Sequence, residues 1–219
     1  MSQTPIDIIE QHAEALVPVQ APAAVQQAYR LHNRFVLALM ARGAVGHYVR
    51  GLAAEIMWHQ AFFNIQLGET GRTFSSFRDW FDYALHEAGV SPQTKSGILN
   101  FCEYVVNPVR LFELPFTLEQ LKGLDEHRAH RLGSAAKKLI NNEGVERLSE
   151  LIQAAFDLES REAFEDYLQQ LGLRKRQVKL KATARLIGEE LELTIRIKPG
   201  TIEADKLLRL LDVDYEFPR

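Results

Sequence analysis

Gln93, Thr94, Lys95 and Ser96 stand in a row within "GVSPQTKSGILN", residues 89–100. A Gln amide matches the N6/N7 edge of adenine, and a Lys ammonium reaches guanine O6/N7 or a phosphate. In the first turn of a helix laid in the major groove, such residues read base edges. Further along, Arg174, Lys175, Arg176, Lys179, Lys181, Arg196 and Lys198 crowd a short length of chain. Cations at that density suit phosphates, because neutralising them releases the counterions condensed on a duplex. The first group is the candidate base-contacting set and the second the candidate phosphate-contacting set.

The elements that would hold the first set are legible around it. Gly89 sits where a helix ends in the left-handed conformation. Ser91 can cap the next helix, and Pro92 at its first position needs no amide donor. That helix is expected from 92 to about Val106, stopped by Pro108. Before the turn, "SSFRDWFDYALHEA" places Phe77, Trp80, Phe81 and Ala84 on one face.

The run "FRDWFDYALHEAGVS", followed by "PQTKSGILN", resembles the helix-turn-helix of phage, plasmid and bacterial repressor proteins. The resemblance implies a helix-turn-helix at about 76–106, with residues 92–106 as recognition helix and Gln93, Thr94, Lys95 and Ser96 meeting bases. The chain departs from the pattern at three places. Leu85 stands where a small residue is expected, and Lys95 where an apolar one is usual. Gly97 lies inside the helix, at a cost of about 1 kcal/mol relative to Ala.

Charge is distributed unevenly. The net charge is −3 and the pI about 6.2, so a polyanion site has to be a local patch. Residues 143–172 carry 8 acidic and 2 basic side chains, whereas 173–198 carry 8 basic and 3 acidic. Within the basic stretch, "QVKLKATARLI" and "ELELTIRIK" alternate as strands do. Gly188 and Glu189 between them suit a two-residue hairpin turn. That register sets Arg185 opposite Glu192, but Lys181 opposite Arg196 and Lys179 opposite Lys198, pairs of like charge that repel unless a polyanion neutralises them. "TIEADKLLRLLDV" then reads as a closing helix.

Helix, two strands and a Leu-rich helix over roughly 160–213 resemble the C-terminal dimerisation domain of plasmid and chromosome partition proteins. The resemblance implies a homodimer whose sheet touches DNA without sequence preference. That family's arginine-rich nucleotide-binding motifs are absent, so no nucleotide hydrolysis is expected.

Elsewhere the pattern is helical: a short amphipathic start, a helix beginning at Pro22, an apolar one from about Gly46 to Leu67, and further helices at 117–123, 126–140, 143–155 and 160–171. The expected fold is mainly α with a C-terminal β-hairpin (α+β), divided into a helical domain 1–142 and a second module 143–219.

Other chemistry finds little support. The lone cysteine, Cys102, lies among Ile98, Leu99 and Phe101 and reads as a core residue. The first residues lack the basic start and apolar block of a secretion signal, and no run approaches a membrane span. His127 and His130 in "EHRAH" have a spacing that permits a metal pair, but further ligands are missing. Glu55 and His59, one turn apart, read as a hydrogen-bonded core pair. There is no phosphate loop, dinucleotide fingerprint, zinc-protease motif or nucleophile elbow. The expectation is a non-enzymatic, cytoplasmic, homodimeric protein of mobile elements or regulators that binds double-stranded DNA, without cofactor, metal or membrane. The rival is a protein–protein adaptor working through helix 46–67 and the acidic segment.

Overall fold

Helices start where the sequence supplies an oxygen for orphan backbone amides. Thr4 and Asp7 form a reciprocal capping box on α1 (Pro5–Ala15), as do Thr117 and Gln120 on α7 (Leu118–Gly123). Ser76 caps α4 (Phe77–Glu87), Asp125 caps α8 (Glu126–Glu143) and Ser160 caps α10 (Arg161–Gln170). The remaining helices are α2 (Ala23–Met40), α3 (Gly46–Trp58), α5 (Ser96–Phe101), α6 (Asn107–Leu111) and α9 (Leu148–Asp157), with a 3-10 turn at Ala61–Asn64. The computed structural model describes residues 4–41, 46–67, 71–91 and 95–174, and the backbone of 181–187 and 190–196.

The chain divides into units 1–174 and 175–219. In the first, α2 packs on α1, α3 and α4, while α8 packs on α5, α9 and α10. Aromatic rings fill the α2–α4 side: Phe35 lies 5.1 Å from Trp80, Phe77 5.3 Å from Trp80, and Phe62 5.9 Å from Phe77. Trp80, Phe35, Phe81, Phe101 and Phe164 are the bulkiest fully buried side chains, and burial of such area is the main drive to fold.

Three expectations are corrected here. The α+β class does not hold: the core-bearing unit is all-α, and its only described β feature is an isolated bridge between Leu67 and Arg72. The division at residue 142 is displaced to 174, because α9 and α10 bury Leu148, Leu151, Phe164 and Leu168 in the same core as α8. The helix expected to stop before Pro108 instead continues through it. Pro108 cannot donate an amide, and the chain meets this with a π segment, Cys102–Val106, leading directly into α6. The described part of that helix is regular from Ser96, and residues 92–94 lie outside the described residues.

The second unit is described by its backbone alone. β1 (Lys181–Ile187) pairs antiparallel with β2 (Glu190–Arg196), setting Lys181 opposite Arg196 and Arg185 opposite Glu192. The expected turn at Gly188-Glu189 and the closing helix after Pro199-Gly200 lie outside the described residues.

Candidate functional site: a basic helix face and a buried arginine

The helix-turn-helix is also corrected. Gly89 has φ +67° and ends α4 as expected. Yet α4 packs chiefly on α2, and α5 chiefly on α8, so the two do not form a packed pair. Two glycines bring α5 and α8 into close contact. A Cβ on Gly97 would stand 1.8 Å from Cδ2 of His130, and one on Gly133 would stand 2.6 Å from the backbone nitrogen of Phe101. Gly97, a cost on the helix-turn-helix reading, is thus what lets the His130 ring lie on α5.

Of the four base-contacting candidates, Gln93 and Thr94 lie outside the described residues. Lys95 is half-buried in a small cavity, and Ser96 is exposed. Of the phosphate-contacting candidates, Arg174 has a described side chain. Those of Lys175, Arg176, Lys179, Lys181, Arg196 and Lys198 lie outside the described residues.

Arg174 lies in an unexpected setting. It pairs with Glu165 of α10, and the same carboxylate receives Arg131 Nε at 2.9 Å and His127 Nε2 at 3.1 Å from α8. Beside it, Asp125 holds Arg128 at 3.3 Å and Arg161 at 3.6 Å. Four arginines and a histidine therefore share two carboxylates in this network. Between Glu126 and Glu143, α8 carries Arg128, Arg131, Lys137 and Lys138 with no acidic residue. His127, Arg131 and Lys138, spaced by four and seven, run along one side of it. Lys138 Nζ donates to the carbonyl of Leu173 at 2.8 Å, so the α8 stripe grips the chain just before its basic stretch begins.

Burial, then Arg131 and Arg161, hold the His127 imidazole below the usual histidine range, even beside Glu165. His130 is likewise held down, by burial and then by Arg131. Among the described residues no cluster of three or more His, Cys, Asp or Glu could hold a metal.

A second feature escaped sequence reasoning. Arg50 sits in the middle of α3 and is only 3% exposed. One nitrogen, Nη2, donates to the carbonyls of Lys122 and Leu124 and meets His47 Nδ1 at 2.9 Å. The guanidinium lies 5.6 Å from the centre of the Phe101 ring. Among the described residues its Nε and Nη1 have no hydrogen-bond partner. It lines a cavity of about 70 Å³ with Gly46, Lys95, Gly97, Ile98, Glu126 and His130. An arginine inside an apolar helix gives little local signal, because the carbonyls it holds are more than 70 residues away.

Two further expectations change. Glu55 pairs with Lys122 of α7 rather than with His59. The apolar faces of α3, a proposed adaptor surface, are core: Val49, Leu52, Ala53, Ile56 and Met57 are buried. What is open instead is a groove of about 460 Å³ lined by Met57, Phe62, Phe77 and Tyr104, with the Arg78–Glu103 ion pair on its wall.

Comparison of the chain with known protein families, with curated proteins and with solved structures finds no match. Among the described residues no helix is long and apolar enough to cross a membrane.

Proposed function

We propose that this chain is a nucleic-acid-binding protein without catalytic activity, acting as a dimer, whose phosphate contacts come from the α8 stripe and from the basic stretch that follows it. The observation that supports this reading is the grip of α8 on residues 173–174 through Lys138 and the Glu165 network. It starts the basic segment of 173–198 from a helix face already rich in arginine and lysine. Cations on such a helix face and in such a segment can each neutralise phosphates without reading bases. Base readout by α5 is not part of the proposal, since α5 is committed to α8.

The test is anisotropy of a fluorescent random-sequence duplex with the full chain over a range of salt. The expected result is micromolar or tighter binding at low salt, with log K falling linearly against log salt. Changing Arg131 and Lys138 to Gln should reduce the steepness by about one unit for each phosphate that is no longer neutralised. A folded sample that leaves duplex untouched at low salt overturns the reading.

One observation favours an adaptor instead: the groove beside the 3-10 turn, where Phe63 is 53% exposed. An exposed ring next to an open, partly apolar groove is a feature of protein-binding surfaces. Absence of duplex binding would move the weight to this reading.

A further inference from the structure

A buried guanidinium with two nitrogens unpartnered among the described residues needs an explanation, because an unmade hydrogen bond in the interior is costly. Arg50 stays charged at any working pH, and no described carboxylate forms an ion pair with it. Burial opposes its charge, and Glu126 and Asp125 support it only from a distance. The cavity it lines adds a second cation, Lys95, which forms no ion pair among the described residues, and the His130 ring edge. Gly46, the first residue of the 13-residue α3, and Glu126, the first of the 18-residue α8, also line it, and the first turn of a helix favours negative charge. The absent side chain at Gly46 makes room for Glu126, whose Oε1 would lie 3.0 Å from a Cβ at that position.

We propose that this cavity binds inorganic phosphate, with Arg50 and Lys95 holding its charge and Glu126 accepting a hydrogen bond from its remaining hydroxyl. The carboxylate selects the ligand. Among Arg50, Lys95 and the helix ends, an anion is welcome, but Glu126 repels one that has no hydrogen to give. Sulfate has none. Near pH 8 inorganic phosphate is chiefly a dianion that keeps one O–H, whereas a phosphate monoester has lost its last proton. A backbone phosphodiester also has no proton to donate, so the site is separate from the nucleic-acid contacts proposed above and does not rest on them. The cavity volume of about 70 Å³ admits one small oxyanion and excludes a nucleotide.

Calorimetric titration of the full chain with sodium phosphate, sodium sulfate and methyl phosphate, at about pH 8 and fixed ionic strength, tests this. Phosphate should bind about 10-fold more tightly than either competitor. Arg50 also ties down two backbone carbonyls, and its variants can fail to fold, so the informative changes are at the rim. Lys95→Ala should weaken phosphate about 5-fold or more. Glu126→Gln, which can donate where Glu could only accept, should bring sulfate within about 2-fold of phosphate. Equal binding of phosphate and sulfate by the unaltered chain, absence of phosphate binding, or rim variants that titrate like the parent would each overturn the assignment.

Discussion

Trp80 donates its indole N–H to Nδ1 of His32 at 3.1 Å, joining α4 to α2 with both residues buried. The bond fixes the tautomer: Nδ1 accepts, so the ring proton sits on Nε2, 3.3 Å from the Glu87 carboxylate. Replacing Trp80 with Phe keeps most of the packing and leaves His32 Nδ1 without a donor. The expected cost is about 1–3 kcal/mol, read as a lower denaturant midpoint at unchanged slope. Adding His32→Leu should recover part of that loss, since removing both polar partners leaves nothing unsatisfied.

Gly97 and His130 form a pair that a double-mutant cycle can isolate. Gly97→Ala drives a methyl into the ring, whose nearest carbon would be 1.8 Å away. A clash of that kind costs about 1–3 kcal/mol. In a His130→Ala background the obstacle is gone, and Ala should then stabilise α5 by up to about 1 kcal/mol over Gly. The coupling energy should be at least about 1 kcal/mol by chemical denaturation; additive changes would disprove the contact.

Gly133→Ala gives a different outcome, because the obstacle is the backbone of Phe101 rather than a side chain. No neighbouring truncation can relieve it. Its destabilisation of about 2–4 kcal/mol should persist in every side-chain background, as followed by thermal melts.

Acid should weaken the packing of α8 on its neighbours α5 and α10. His127 and His130 titrate below the usual histidine range in the folded chain. As pH falls through about 6.5, the unfolded chain takes up protons that the folded one declines, so stability drops. The loss is complete once both histidines are charged in the folded state as well. Melting temperature should therefore fall more between about pH 7.5 and 5.5 in the parent than in a His127→Gln, His130→Gln variant. Parallel pH curves for the two proteins would contradict this.

Local features were readable from the sequence, and long-range ones were not. Ser76, Thr117 and Ser160 act within three residues of themselves, so the starts of their helices could be read directly. The face Phe77, Trp80, Phe81 and Ala84 is buried as its spacing implies, and Cys102 is buried among its apolar neighbours, which push its thiol pKa up. By contrast, the helix continues through Pro108 because a π segment absorbs the missing amide, and tertiary packing settles that choice. Alternation between 179 and 198 speaks of strand but not of which core a strand joins, and so the α+β class failed. The helix-turn-helix resemblance rested on the turn at Gly89, which is present, and on a packing partner for α5, which is α8 instead. Of the site itself, Lys95 and Arg174 stood out for their charge. Arg50, Arg131 and Glu165 gain their meaning only from elements far off in the chain.

The α5–α8 crossing also constrains how this sequence can drift. Position 133 tolerates glycine alone while the Phe101 backbone lies against it. Position 97 can grow only if the ring at 130 shrinks. Distant kin that keep the architecture should therefore show a fixed glycine at the first site and compensating exchanges between the other two. That three-position fingerprint should outlast overall sequence similarity and can be used to find such kin.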